Sequence, residues 1–253
     1  MSDTQFDDEI LDSNAISPTD EEGNPVPVTI PIALAPGVTV VYTTRLGGVS
    51  HGDFGDCNLG GKGGDDPQAI LANRVSLVKS VGCGLSLVSQ VHSGRAVDVD
   101  ASWHLNTPFG FDVSGTPGEV TADGEAQAAT VVEADGQVTS RAGVALGMFA
   151  ADCLPVLMAD AQAGVIGAAH CGRKGLQRGI ISATIDAMVA KGAAPERIAA
   201  TLGPCICGDC YEVGDAIADG FDAQFPGTFT LTRFGGPGID IAKAARMELA
   251  KAG

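Results

Sequence analysis

Val156-Leu157-Met158-Ala159-Asp160-Ala161-Gln162-Ala163-Gly164-Val165-Ile166-Gly167-Ala168-Ala169-His170 reads as two apolar strands, Val156–Ala159 and Val165–His170, joined by a tight turn. Short apolar runs bounded by turn signals fit strands covered on both faces. With Ala161 and Gln162 as the turn, the register extends to set Cys153 opposite His170 on one face. Directly opposed side chains have Cβ atoms about 4.5–5.5 Å apart, close enough to share one metal ion. A thiolate with an imidazole favours zinc or copper over magnesium or calcium. Pro155 interrupts the ladder beside Cys153, so regular pairing is weakest there.

Working outward, Val144–Ala150 is a preceding strand. A helix is expected over Leu176–Lys191, with Ile181, Thr184, Ile185 and Met188 at helical spacing and Gly192 as its stop. Ile198–Gly203 is a further strand and Asp240–Ala252 a further helix. Strands and helices interleave, yet one connection is a hairpin. The expected fold class is therefore α/β with a mixed sheet covered by helices.

Toward the N-terminus, Leu85–Val91 reads as a strand ending at His92, and residues 105–130 as a surface insertion. Asp66-Pro67 opens a helix with Leu71, Val75 and Val78 on one face and Gly82 past its end. The glycine-dense Arg45–Gly64 is far longer than an ordinary connection, a length that points to function or disorder. Val38–Thr44 is a strand rich in β-branched residues, and Val26–Pro31 an edge strand that tolerates its prolines. Residues 1–25 read as an acidic, disordered arm, leaving 26–253 as a single domain.

The chain has 253 residues, 45% of them apolar, enough for one sizeable core. A net charge of −16 repels phosphate backbones and anionic lipid, so neither nucleic acid nor membrane is an expected partner. No apolar run is long enough for a membrane span, and Met1–Asp12 shows no secretory pattern. Seven cysteines, an odd number spread over a long chain, fit reduced thiols in a cytoplasmic protein, monomer or homodimer.

A catalytic zinc takes three protein ligands and leaves a fourth position open. His92, at a strand end, is the best third ligand beside Cys153 and His170; His51 and His104 lie in polar loops. The bland alternative for each is a hydrogen-bonded structural group. Cys205, Cys207 and Cys210 have a C-x-C-x-x-C spacing, but without a matching fourth ligand they read as proximal thiols in a Gly-Pro turn. Cys171 reads as a bystander. Gly172-Arg173-Lys174-Gly175, just before a helix, could present an anion to its N-terminus or be a solvated loop.

These motifs together resemble the YfiH-like proteins, also called the laccase-domain or polyphenol oxidase family. They are Thr43-Thr44-Arg45-x-Gly47-Gly48-Val49-Ser50, Asn58-Leu59-Gly60, Gln90-Val91-His92 and Ala151-Asp152-Cys153-Leu154-Pro155-Val156, then Ala169-His170-x-Gly172, Gly203-Pro204-Cys205-Ile206 and Cys210-Tyr211-Glu212-Val213-Gly214. The resemblance spans about residues 38–253. It implies an α/β sandwich of the YfiH-like cysteine-hydrolase type, with zinc on His92, Cys153 and His170. It further implies phosphorolysis of purine nucleosides and hydrolytic deamination of adenosine. Copper fits less well, because a multicopper cluster needs many imidazoles and the chain has four histidines.

On that reading Asp152 orients a water or carries its proton, unless it caps backbone amides instead. Arg45 and Ser50 are the natural phosphate holders, with Asn58 and Lys174 completing the substrate-binding set. The family's Ala-His-Ala-Gly-Trp-Arg-Gly appears here as Ala169-His170-Cys171-Gly172-Arg173-Lys174-Gly175, which replaces a bidentate fork by a point charge. Ser93 stands where the family has glycine, and the family's C-terminal stretch, with a further cysteine and an arginine, is not seen. Two alternatives stand beside the zinc enzyme. One is a hydrolase of peptidoglycan-precursor amides with Cys153 as nucleophile and His170 as base. The other is a degenerate metal- or nucleoside-binding protein.

Overall fold

The structure is a computed structural model that describes residues 19–20, 23–102, 119–120, 126–127 and 132–253. Most of the acidic arm read over 1–25, most of the insertion read over 105–130, and His104 lie outside the described residues. In chain order the elements begin with β1 (Thr29–Ala35), β2 (Val38–Thr43), α1 (Pro67–Val81), β3 (Gly84–Ser86), β4 (Ala96–Asp98) and α2 (Val99–Ser102). Next come β5 (Glu119–Val120), β6 (Ala126–Gln127), β7 (Gly136–Thr139), β8 (Val144–Leu146), β9 (Leu154–Asp160), β10 (Val165–Cys171), α3 (Arg173–Gln177) and α4 (Ile180–Ala190). The chain closes with β11 (Ala199–Leu202), α5 (Asp215–Gln224), β12 (Phe229–Leu231), β13 (Pro237–Ile239) and α6 (Ile241–Ala252). They group into two compact units, one of residues up to Ile30 with Val41–Val81, the other of Pro31–Val40 with Gly82–Gly253.

The larger unit holds a five-stranded sheet in the order β11-β9-β10-β7-β4. Its first three pairings are antiparallel and β4 joins β7 in parallel, so the sheet is mixed, as expected. Strand β9 is buried at every position except Leu157, the pattern of a strand covered on both faces. Leu154, Val156 and Met158 share one core with Ile181, Ile185 and Met188 of α4 and with Ala244 and Ala245 of α6. Each such large side chain contributes roughly 1.5–3 kcal/mol by leaving water.

The hairpin differs in register from the sequence reading. His170 opposes Pro155 and Cys171 opposes Leu154, so Cys153 lies just beyond the strand rather than across from His170. The cause is at the turn. Asp160 Oδ1 accepts the N–H groups of Gln162 and Ala163, both at 3.0 Å, and Gly164 takes φ 65°. A four-residue loop, 161–164, results in place of a two-residue one. The slip is by two residues, so every side chain keeps its face.

The helix expected over Leu176–Lys191 is two helices, α3 and α4, parted at Gly179 in the left-handed region (φ 74°), where glycine alone is unstrained. Its buried face carries Ile181, Thr184, Ile185 and Met188 as read, and Gly192 follows the end at φ 97°. The strand expected over Leu85–Val91 is only β3, paired in parallel with β8. His92 therefore sits in a bend, not at a strand end. The first strand starts at Thr29 and pairs with β2 across Pro36-Gly37, later than Val26–Pro31.

In the smaller unit α1 buries Ile70, Asn73, Arg74 and Leu77, not Leu71, Val75 and Val78; Val75 is 49% exposed. The polar pair explains the rotation. Asn73 donates to the carbonyls of Asp56 and Asn58 and accepts from Val49 N–H, while Arg74 donates to the carbonyl of Leu59. Backbone groups of the glycine-dense loop are satisfied by the helix face that hydrophobicity alone would have turned outward. Asp66 caps that helix, accepting Gln68 N–H at 3.0 Å.

Candidate metal centre

The ligand atoms of His92, Cys153 and His170 all lie within 4.8 Å of one another. Among the described residues this is the group of such side chains that could hold a metal ion. Cys153 Sγ is 3.5 Å from His92 Nε2. Zinc bonds of about 2.3 Å to sulfur and 2.0–2.1 Å to nitrogen, at a tetrahedral angle, set those two atoms roughly 3.5 Å apart. The two imidazoles meet edge to face with centroids 4.8 Å apart.

Three segments deliver these side chains. His170 is the penultimate residue of β10, and is 4% exposed. Cys153 follows Asp152, whose φ of 73° turns the chain sharply just before β9. His92 itself has φ 58°. These are the described non-glycine residues in the left-handed region, and both fall at the cluster, where such strain persists only if the surroundings enforce it. Gln90 supplies part of that enforcement: its amide donates to the carbonyl of Phe149 and accepts Phe149 N–H, both at 2.8 Å.

Asp135, just before β7, was not singled out from the sequence. It is fully buried, and its Oδ1 pairs with His170 Nδ1 at 2.8 Å and accepts His92 N–H at 2.9 Å. Its Oδ2 accepts the Ser93 N–H at 2.6 Å, the Ser93 hydroxyl at 2.7 Å and Val91 N–H at 3.2 Å. The signal was faint, an acid two residues after Glu133 in a stretch to which the sequence reading assigned no element. Burial alone would raise this carboxyl, but the bonds from His170, Ser93 and His92 hold it well below the usual range. Burial would depress the His170 imidazole, yet Asp135 and the neighbouring Cys153 push it up to about 9. Burial and the nearby His170 hold His92 below the ordinary imidazole value.

Gly172 closes the cluster from one side. A Cβ there would stand 2.6 Å from His92 Cδ2 and 2.8 Å from Cys153 Sγ. The motif's glycine is thus a packing requirement of the cluster. Lys174 is exposed on α3, a five-residue helix too short to present an anion site at its end. Asp152 is exposed and its carboxylate makes no hydrogen bond to a described residue; its carbonyl accepts Ile206 N–H at 2.9 Å. It does not cap backbone amides.

Arg45, Ser50 and Asn58 belong to the smaller unit. Arg45 Nη2 donates to the carbonyl of Asp53 at 2.9 Å. Ser50 Oγ donates to Asp65 Oδ2 at 2.7 Å and accepts from Asn73; Asn58 donates to the same Asp65 oxygen at 2.9 Å. The donors of Ser50 and Asn58 are therefore already taken by a carboxylate. Those bonds hold Asp65 below the usual carboxylate range. Cys171 is buried, its thiol pushed well up by burial, and Cys205, Cys207 and Cys210 form no group with metal-ligand geometry.

A profile of the multi-copper polyphenol oxidoreductase laccase family matches residues 39–253, and the chain belongs to that family. It is 40% identical over 215 residues to "Purine nucleoside phosphorylase ORF3" of Streptomyces griseus, covering 84% of this chain and 78% of that one. It is 31% identical over 224 residues, 86% of this chain and 79% of the other, to "Adenosine deaminase RL5" of an unknown prokaryotic organism. The solved structure of Bacillus licheniformis YfiH superposes with a TM-score of 0.70 at 27% identity, covering 90% of this chain and 82% of that one. The fold is the YfiH-like mixed-sheet α/β sandwich.

Proposed function

We propose that this chain is a purine nucleoside phosphorylase that also deaminates adenosine, with zinc held by His92, Cys153 and His170. The observation that carries the reading is the convergence of those three ligand atoms in front of a buried carboxylate. Relatives named for phosphorolysis and for deamination support both activities. When bound, zinc supplies a Lewis acid that polarises an oxygen and lowers the proton affinity of water.

The chain's own residues do the rest. Asp135 accepts a hydrogen bond from His170 Nδ1–H and so leaves Nε2 as the ligand atom. A zinc ion held by these three residues would keep a position open to substrate or water. Asp152 presents a free, exposed carboxylate next to Cys153 and carries a proton to or from the reacting group. Lys174, whose charge is felt at His92, holds phosphate as a point charge.

A second reading rests on one observation: Cys153, His170 and Asp135 stand in the order nucleophile, base and orienting acid. A thiol hydrolase acting on a cell-wall precursor amide uses that order without metal. The deciding experiment is metal analysis of purified protein, with inosine and free adenine followed from adenosine in the presence and absence of phosphate. Stoichiometric zinc, chelator-sensitive inosine formation and phosphate-dependent adenine release are the expected results. A His₂Cys set also suits a single copper, so the metal is identified before activity is assigned. Metal-free protein that zinc fails to activate sinks the zinc enzyme.

A further inference from the structure

We infer that Asp135 is the positioning residue of the centre, one carboxylate that aims both histidines at the same point. This rests on the metal reading above. Two of the three ligands come from segments with no pairing to each other, and one of them, His92, is in an unfavourable left-handed conformation. Something must hold the bend at His92 while fixing the ring of His170.

Asp135 does both with the same oxygen. Oδ1 bonds His170 Nδ1 at 2.8 Å and accepts the backbone N–H of His92 at 2.9 Å. The second oxygen anchors the turn on either side of His92 through Val91 N–H, Ser93 N–H and the Ser93 hydroxyl. Asp135 is itself tied to β10, for its carbonyl accepts His170 N–H at 2.7 Å. So the backbone of His170, the ring of His170 and the bend at His92 all refer to one buried residue. Carboxylates behind metal-bound histidines fix ring orientation and tautomer, and their loss lowers metal affinity by about 10–100-fold. Here one group does this for two ligands, which places its effect toward the upper part of that span. Ser93, standing where the family has glycine, contributes a hydroxyl bond to the arrangement.

The test compares Asp135→Asn with wild type by zinc-ion competition against a chromogenic chelator, and by nitrogen-detected NMR of the histidine rings in metal-free protein. Wild type should show a His170 Nδ1–H signal displaced by its carboxylate partner, and Asp135→Asn should move that signal and lose zinc affinity by about 10–100-fold, with circular dichroism unchanged. Affinity and Nδ1–H signal both as in wild type would overturn the assignment. Were wild type to bind no zinc while the substitution still reoriented His170, the metal reading would fall and the positioning role would stand. Ser93→Ala guards against a misfolded Asp135 variant: it removes only the hydroxyl bond, and should weaken zinc binding in the same direction by less. Should Asp135→Asn fail to fold, an unchanged zinc affinity in Ser93→Ala overturns the proposal.

Discussion

The metal cluster and the glycine-dense loop both gather polar side chains from distant parts of the sequence, but they close their hydrogen bonds differently. In the loop, Ser50, Asn58, Asp65 and Asn73 satisfy one another and the backbone around them, so the chemistry is used up in holding shape. At the cluster, His92 Nε2, Cys153 Sγ and the second ring nitrogen of His170 converge on one another, while the atoms behind them pair with Asp135. A polar group that is fully paired is architecture; one whose partner supports it from behind is poised for something outside the chain. Residue type alone does not separate these cases, and satisfaction of each atom does.

The largest expected effect comes from breaking the cluster. His170→Ala should lower zinc affinity by more than the roughly 100-fold of a supporting residue. Retention of stoichiometric zinc in that variant, measured by elemental analysis after chelator dialysis, would show that the converging atoms are not ligands. Gly172→Ala should follow. Its methyl group meets His92 and Cys153 at under 3 Å, so both must shift. Displacements near 1 Å cost about 10²-fold in turnover, and adenosine deamination rates check this. A fully active Gly172→Ala protein would mean that the ligands need no such close placement.

The loop side of the comparison breaks differently. Asn73→Ala strips partners from Val49 N–H and from the carbonyl of Asn58, in a residue only 1% exposed, while the Asp56 carbonyl keeps Ser50 N–H. Buried groups left unpaired cost about 1–3 kcal/mol each, and partial relaxation makes about 3 kcal/mol in all reasonable. Urea denaturation should show the loss while metal content per folded molecule matches that of the wild type. Loss of zinc without loss of stability would erase the distinction between the two regions.

Apolar patterning made the mixed sheet and the α4 face legible, since Ile181, Thr184, Ile185 and Met188 recur at helical spacing and are buried. The same cue failed on α1, where Asn73 and Arg74 win the buried face because backbone carbonyls of a loop need donors. No hydrophobicity count contains that demand. The convergence of His92, Cys153 and His170 was readable from the motifs, but not from strand placement: His92 sits in a bend, the assumed register was two residues out, and Cys153 arrives through a bend at Asp152. Asp135 was invisible because its partners, Val91 to Ser93 and His170, are about forty residues away on either side and only folding reveals them.

The smallest effect tests the turn that set the register. Asp160 is held at about 2 by its bonds from Arg197, whose Nη2 lies 2.8 Å from Oδ2. Its Oδ1 meanwhile accepts the turn amides of Gln162 and Ala163, and Oδ2 accepts Ala194 N–H. A carboxylate depressed on folding adds stability that is fully present above its unfolded value of about 3.9 and fades as pH falls through about 2. Asp160→Asn keeps an acceptor for the turn but removes the charge facing Arg197, so it should be less stable than wild type at pH 7. The gap should narrow between pH 4 and pH 2 in urea titrations. Arg197 is more than a third exposed, so solvent screens the pair and the effect stays modest. A gap independent of pH would assign the turn to hydrogen-bond geometry alone, and the four-residue loop would then owe its register to Gly164 rather than to the charge.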